Sequence, residues 1–102
     1  MKAIRKHADE FRRRQDKMPL PKTLDEAVVH LLSVLSDESK ARVRGTLERD
    51  LILFHHGWGT GIRNDLGLWG RNPELLASCG SPHPDDASMV IIRAVWRALQ
   101  NA

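Results

Sequence analysis

The sequence contains a single cysteine and no long apolar stretch. Because Cys79 is alone, no disulfide can form within the chain, which agrees with a reducing compartment. The apolar runs Leu51–Phe54 and Met89–Ile92 are each four residues long, whereas a membrane-spanning helix needs about 20. The first residues, Met1–Phe11, are charged throughout and lack the apolar core of a secretory signal. We therefore expect a cytoplasmic protein without a membrane partner.

The length and composition indicate one globular domain with an unevenly charged sequence. The chain has 102 residues, of which 41% are hydrophobic and 28% charged, values typical of a folded domain. Residues 1–17 contain seven basic and three acidic residues, a net charge of +4, whereas the other 85 residues contain nine basic and ten acidic residues. The basic character therefore belongs to the N-terminal segment, and any argument for nucleic-acid binding depends on that segment.

The chain divides into a basic N-terminal arm, a hinge and a single helical domain. In the arm, residues 1–17, Ile4, Ala8 and Phe11 share one face at helical spacing, which predicts a short amphipathic helix. Residues 18–22 contain Pro19 and Pro21, which stop that helix and form the hinge. Residues 23–102 form the domain.

Two helices are predicted in the first half of the domain. Thr23 and Glu26 form a capping box, and apolar residues then repeat at helical spacing as far as Leu35. Ser36 begins the second helix, which should end at Gly57 in a left-handed cap. Its predicted apolar positions are Val43, Leu47, Leu51, Ile52 and Phe54.

The second half is predicted to be helical with several glycine interruptions. Residues 57–61 (Gly-Trp-Gly-Thr-Gly) indicate a loop, residues 62–69 one or two helical turns, and Asn72-Pro73-Glu74 a helix start. Pro84-Asp85-Asp86 begins the last helix, whose apolar residues surround most of its circumference, so we expect it to be central. The predicted fold class is all-α: an irregular bundle of four to five helices with a basic N-terminal helical arm.

Two motifs carry a resemblance to a known family. Residues 62–69 (I-R-N-D-L-G-L-W) and 83–88 (H-P-D-D-A-S), together with Asn72, Leu75 and Leu76, resemble a domain of unknown function. That family comprises small, uncharacterised, mostly bacterial helical proteins with an R-N-x-x-G-L-W core and a P-D-D-A-S helix start. The likeness runs from about Leu20 to Leu99. It implies a compact bacterial domain and no nameable activity.

The first candidate site is a set of polar residues from these motifs, namely Arg63, Asn64, Asp85, Asp86 and Ser88. The fold could bring them together in an internal salt bridge centred on Arg63, which we favour. Alternatively, Arg63 could line a pocket for a carboxylate or phosphate, with Asn64, His83 and Asp86. The glycines of residues 57–61 leave a weak anion site conceivable, although the segment before them is a helix and not a strand.

The histidines and the cysteine do not form a metal-binding or catalytic motif. His55 and His56 are adjacent and point about 100° apart on a helix, so they cannot easily bind one ion from one face. Cys79 and His83 are four residues apart across a glycine and a proline, too common an arrangement to indicate a nucleophile. We expect no metal, no cofactor and no catalytic residue.

Two further features suggest binding. Of the three tryptophans, Trp69 and Trp96 lie in helical patterns and are expected in the core. Trp58 lies between glycines; packing over the helix ends is the favoured interpretation, and if it is exposed it is a candidate binding anchor. The arm could bind nucleic-acid phosphates. Its candidate contacts are Lys2, Arg5, Lys6, Arg12, Arg13 and Arg14.

The sequence therefore leads to three functional hypotheses. The first is a non-enzymatic interaction or regulatory module that binds another protein or itself. The second is a nucleic-acid-associated protein that uses the arm. The third is a small anion-binding or catalytic domain around Arg63. The candidate binding residues are Trp58, Arg63, Asn64, His83 and Asp86.

Overall fold

In the computed structural model, which describes residues 20–101, every regular element is helical. The elements are α1 (Leu24–Val34), α2 (Asp37–Arg44), a 3-10 helix (Glu48–Phe54), α3 (Trp58–Asp65), α4 (Pro73–Ser78) and α5 (Pro84–Gln100). The all-α prediction is confirmed for this part of the chain. The predicted N-terminal helix of residues 1–17 and hinge residues 18 and 19 lie outside the described residues.

Helix α5 is the centre of the bundle. It packs against α1, α2, α3 and the 3-10 helix. Its residues Ala87, Ile91, Ile92 and Val95 are completely buried, as its broad apolar surface predicts. These four elements therefore take their positions from α5, and the polar residues at its N-terminus lie beside α3.

Local capping signals correctly predict where α1, α4 and α5 begin. Thr23 Oγ1 accepts a hydrogen bond from the Glu26 amide at 3.1 Å, and Asn72 Oδ1 accepts one from the Leu75 amide at 3.4 Å. Each side chain satisfies an amide that has no partner within its own helix. Proline at the first turn follows both Asn72 and His83, so α4 and α5 begin where the sequence predicts.

The predicted continuous helix from Ser36 to Gly57 is wrong. Helix α2 ends at Arg44, Gly45 is its C-cap, and Leu47 is extended with ψ of 146° before the 3-10 helix begins. Side chains of α5 satisfy carbonyls exposed by this break: Trp96 Nε1 donates to Thr46 O at 2.8 Å, and Gln100 Nε2 donates to Arg44 O at 3.0 Å. Residues 20–101 therefore contain six helical elements, not the four or five expected.

The break also changes which apolar residues are buried. Leu51 is completely buried and Phe54 packs against the core, but Leu47 and Ile52 are exposed, contrary to the predicted stripe. The helical period of 3.6 residues no longer applies once the chain leaves α2 and continues as a 3-10 helix of three residues per turn. Leu53, on the same element, has 77% of its surface exposed.

The predicted glycine loop at residues 57–61 is also wrong. Gly57 has φ of −89°, so it is not a left-handed cap, and α3 begins at Trp58. Helix α3 ends at Asp65, and the chain from Leu66 to Arg71 forms the loop instead. Among the described residues, no helix is both long and apolar enough to cross a membrane.

Candidate functional site

Arg63 is the centre of a buried polar network between α3 and α5. Only 6% of its surface is exposed. Its Nη1 donates to Ser88 Oγ at 2.9 Å, and its Nη2 donates to Thr60 Oγ1 at 2.8 Å and to His55 O at 3.3 Å. Ser88 Oγ in turn donates to Asp85 O at 2.8 Å. A buried guanidinium requires such partners, because an unpaired charge in the core would be strongly unfavourable.

Asp85 completes the network with its carboxylate. Its Oδ1 lies 3.4 Å from Arg63 Nε, and its side chain is 42% exposed. All three nitrogens of the guanidinium therefore contact protein groups, which is the geometry of an internal salt bridge. The structure brings together Arg63, Asp85 and Ser88 from the predicted set, but not Asn64 or Asp86, which are exposed. The arrangement does not favour an anion pocket at Arg63.

A glycine makes room for this network. A Cβ built at Gly59 would lie 3.0 Å from Arg63 Nη1 and 3.3 Å from Phe54 O. The glycine at this position therefore permits the close approach of α3, the 3-10 helix and the guanidinium. Of the three glycines at residues 57–61, Gly59 is the one next to Arg63, and it lies in helix α3 and not in a phosphate-binding loop.

Hydrogen bonds fix the loop from Leu66 to Asn72 on both sides. Leu66 and Leu68 are buried, and the Leu68 amide donates to Arg63 O at 3.0 Å. Asn72, with 1% of its surface exposed, donates from Nδ2 to Leu66 O at 3.0 Å and to Pro21 O at 2.7 Å. Arg71 donates from Nη2 to Asn64 O at 3.0 Å. These bonds fix the loop against α3 and against the chain that enters α1.

Trp69 projects from the middle of this fixed loop into solvent. Its side chain is 60% exposed, although the sequence pattern predicted a core position. Its ring meets that of His83 edge to face, with centroids 6.2 Å apart. His83 is itself the N-cap of α5: its Nδ1 accepts a hydrogen bond from the Asp85 amide at 3.1 Å, and its side chain is 57% exposed. The candidate residue His83 therefore adjoins Trp69 at the surface.

Trp58, the candidate exposed anchor, is packed against the bundle instead of projecting into solvent. It is half-buried, packs against the core and meets Phe54 edge to face at 5.7 Å. Because it lies in α3 and not in a loop, one side of its ring faces the bundle. Trp69, which the sequence pattern predicted to be buried, also has glycines near it, Gly67 and Gly70.

A shallow apolar groove of about 350 Å³ lies next to His83 along the chain. It is open to solvent, and its lining comes from α4 and from the turn that leads into α5. Its lining residues are Pro73, Leu76, Ala77, Gly80, Ser81 and Pro82. Pro82 immediately precedes His83, whose ring meets that of Trp69. We call the groove together with Trp69 and His83 the Trp69 surface.

Among the described residues, His55, His56 and Cys79 do not come together in one cluster. Cys79 is buried, and this burial raises the pKa of its thiol, which makes it a poor nucleophile at neutral pH. The rings of His55 and His56 lie 5.0 Å apart, and His55 Nδ1 is buried with no hydrogen-bond partner among residues 20–101; no described contact accounts for it. Within the same residues, no group of three or more His, Cys, Asp and Glu could hold a metal ion.

The candidate nucleic-acid contacts of the arm lie outside the described residues. Binding of nucleic acid through Lys2, Arg5, Lys6 and the three arginines at positions 12–14 therefore stays a prediction from the sequence.

The fold and the surface define a small all-helical domain with one exposed, rigidly held tryptophan. Residues 20–99 match a family described as a domain of unknown function (DUF6794), so the chain belongs to that family. The predicted resemblance to such a family is confirmed at this level, while its motif and the bacterial origin stay predictions. No curated protein and no solved structure matches the chain.

Proposed function

We propose that this protein is a non-enzymatic protein-interaction module and that it contacts its partner through the Trp69 surface. The observation that carries the proposal is the 60% exposure of Trp69 on a loop fixed by buried hydrogen bonds. Tryptophan is enriched in interface hot spots because its large ring buries much apolar area with few rotatable bonds. Leaving such a ring in water has no structural benefit to the bundle.

The other residues of the loop motif have structural roles, which distinguishes Trp69 from them. The carbonyls of Arg63 and Asn64 accept hydrogen bonds from the loop. Gly67 has φ of 75°, which suits glycine, and Leu68 is buried. Trp69 is 60% exposed, and its ring meets that of His83 edge to face. A fixed loop that presents a tryptophan loses little conformational entropy on binding, and this preorganisation favours affinity.

Affinity capture from the native cells with the tagged full-length chain tests the proposal. We expect the wild type to enrich a stoichiometric protein that survives nuclease treatment. Trp69→Ala should lose that protein, because truncating a hot-spot side chain costs about 2 kcal/mol or more, roughly 30-fold in Kd. Binding of the purified partner to both proteins then gives the Kd ratio directly.

Leu53→Ala is the matched control. Leu53 is more exposed than Trp69 but lies on the 3-10 helix, and Leu47 and Ile52 expose further apolar area on or beside that element. Both variants should unfold at nearly the wild-type temperature, because neither side chain is in the core. Equal capture by Trp69→Ala and wild type would contradict the proposal, and selective loss with Leu53→Ala would move the contact surface to the 3-10 helix.

A cytoplasmic location is part of the same proposal. A lone, buried cysteine agrees with a reducing compartment. Cell fractionation with an antibody to the full-length chain would test it, and recovery in a secreted fraction would contradict it.

A further inference from the structure

The exposed ring of Trp69 offers a face to a cation. The face of a tryptophan ring carries negative charge density and attracts arginine and lysine side chains. Arg71, two residues further along the same loop, already uses its guanidinium elsewhere, because its Nη2 donates to Asn64 O at 3.0 Å. The Trp69 ring is 60% exposed and meets His83 edge to face, so much of its surface is open to a side chain from another molecule.

A partly exposed carboxylate adjoins the same pair of rings. Asp85 Oδ2 lies 3.9 Å from His83 Nδ1, and the Asp85 side chain is 42% exposed. The other oxygen, Oδ1, contacts Arg63 Nε. Because a carboxylate accepts hydrogen bonds at both oxygens, Oδ2 can receive an additional donor. An aromatic face and a carboxylate oxygen therefore both adjoin His83.

The segment of sequence that builds this surface is acidic. Residues 64–88 include Trp69, His83 and every lining residue of the groove. They carry four acidic side chains and one basic side chain, a net charge of −3. The other described residues carry six acidic and eight basic side chains, a net charge of +2. The four acidic residues are all at least partly exposed, namely Asp65, Glu74, Asp85 and Asp86.

The stability of the fold accounts for only part of this charge. Glu74, Asp85 and Asp86 lie in the first turns of α4 and α5, where the helix dipole favours acidic side chains, and the first two also form ion pairs. Asp65 differs, because it is the last residue of α3, at the end where the dipole disfavours negative charge. It directly precedes the loop that presents Trp69. A carboxylate at this position does not stabilise α3, whereas it would attract a basic partner to the loop.

We infer that the partner docks a basic segment on the Trp69 surface, with an arginine over the Trp69 ring and with Asp85 and Asp65 balancing the charge of the segment. Arginine fits this surface better than lysine, because its planar guanidinium stacks on an aromatic ring and donates in parallel to a carboxylate. The inference rests on the proposed function, since it names the chemical class of the partner that contacts the Trp69 surface.

Nuclear magnetic resonance of the isotope-labelled full-length chain, titrated with capped tetra-arginine, tetra-lysine and tetra-glutamate peptides, tests the inference. We expect tetra-arginine to shift the Trp69 indole and His83 amide peaks until they saturate. Tetra-lysine should bind with a higher Kd, and tetra-glutamate should leave the peaks in place. The Trp96 indole, which donates to Thr46 O, should not move with any peptide. About 1 M salt, which shortens the Debye length to about 3 Å, should weaken the binding of tetra-arginine.

Three variants locate the contact. Trp69→Ala should raise the Kd of tetra-arginine, read from the His83 amide, about fivefold. Asp85→Asn should raise it about threefold, because an exposed ion pair contributes little. Asp37→Asn is the matched control: Asp37 is exposed in the first turn of α2, as Asp85 lies in the first turn of α5, and the Kd should not change. An unmoved Trp96 indole peak in each variant shows that the bundle is folded.

An unmoved Trp69 indole, or an equal shift with tetra-glutamate, would overturn the inference, and equal affinity for tetra-lysine would overturn the assignment of arginine. Equal shifts of the Asp37 and Glu38 amides would mean that the peptide binds any acidic helix start. A Trp69 peak that moves with protein concentration alone would mean that a second copy occupies the surface. Both results would contradict the inference.

The two proposals can fail separately. Any of these contrary results, together with partner loss in Trp69→Ala, would leave the proposed function intact. Binding of tetra-arginine at Trp69, together with full partner capture by Trp69→Ala, would refute the proposed function and leave only the preference of this surface for arginine.

Discussion

Two glycine-containing segments of this protein have opposite structures. Residues 57–61 contain three glycines, none with positive φ, and the chain continues there as helix α3. Residues 66–71 contain two glycines, with φ of 75° at Gly67 and 120° at Gly70, and they form a loop. Glycine permits both outcomes, so the number of glycines does not decide between them. What decides is whether the surroundings require a close helix contact or a reversal of the chain.

The difference determines the role of each neighbouring tryptophan. In the first segment, the missing side chain of Gly59 allows α3 to approach the 3-10 helix, and this places one face of Trp58 against the core. In the second, positive φ values turn the chain between two buried leucines, so that Trp69 points outwards. The two segments also depend on different buried polar residues, Arg63 in the first and Asn72 in the second.

The largest effect should come from Arg63→Ala, which removes the residue that holds α3 to α5. We expect the free energy of unfolding in urea to fall by about 3 kcal/mol, because the variant loses buried hydrogen bonds and leaves a cavity. Asp85→Asn should cost about 1 kcal/mol or less, since this carboxylate is partly exposed. Equal losses would mean that the ion pair, and not the bonds to Ser88, Thr60 and His55, holds the network.

Asn72→Ala, at the end of the loop, should have a smaller effect. The variant leaves Leu66 O without its side-chain donor and removes the cap of α4, so the free energy of unfolding should fall by about 2 kcal/mol. Asn64→Ala is the matched control, because the Asn64 side chain is exposed in α3, and it should change stability by about 0.5 kcal/mol or less. If both variants unfolded alike, Asn72 would not be what fixes the loop.

The smallest effects on the free energy of unfolding are expected at two glycines of the first segment, Gly59 and Gly61, and they should have opposite signs. Gly59→Ala should lower the free energy of unfolding by about 1 kcal/mol, because strain against Arg63 and Phe54 O outweighs the gain in helix propensity. Gly61→Ala should raise it by about 0.7 kcal/mol, since a Cβ there has nothing within 4 Å and alanine favours the helix. Thermal unfolding of both variants measures the opposite signs. If Gly59→Ala instead raised the free energy of unfolding, the close approach to Arg63 and Phe54 O would not be what requires glycine at this position.

Local sequence signals predicted the helices that depend on local bonds. The caps at Thr23, Ser36 and Asn72 and the proline at the start of α5 all form as expected, because each bond joins residues three or fewer positions apart. The apolar repeat of α5 also predicted its central place. The break after Arg44 was missed, because the bonds that stabilise it come from Trp96 and Gln100, 50 or more residues away.

The candidate site was also predicted only in part, because some of its contacts join distant residues. The motifs predicted that Arg63 meets Asp85 and Ser88, and the structure shows both contacts. The selection of Arg63 and His83 as binding residues stays a prediction. The choice between Trp58 and Trp69 could not be made from flanking glycines, since both have them. Which tryptophan is exposed depends on which glycines adopt positive φ. The loop with positive φ is held by the hydrogen bonds of Asn72 to Pro21 O and Leu66 O, which cannot be read from the neighbouring sequence.

The sequence by itself determined the helical class, the starts of α1, α2, α4 and α5, and the concentration of positive charge in residues 1–17. These properties follow from composition, from apolar periodicity and from hydrogen bonds between close neighbours. Only the tertiary structure decided that the Arg63 guanidinium is bound within the protein and that Trp69 is exposed. Both depend on distant segments that meet in space: the start of α5 supplies Ser88 and Asp85 to Arg63, and Pro21, before α1, accepts a hydrogen bond from Asn72 at the end of the loop that presents Trp69.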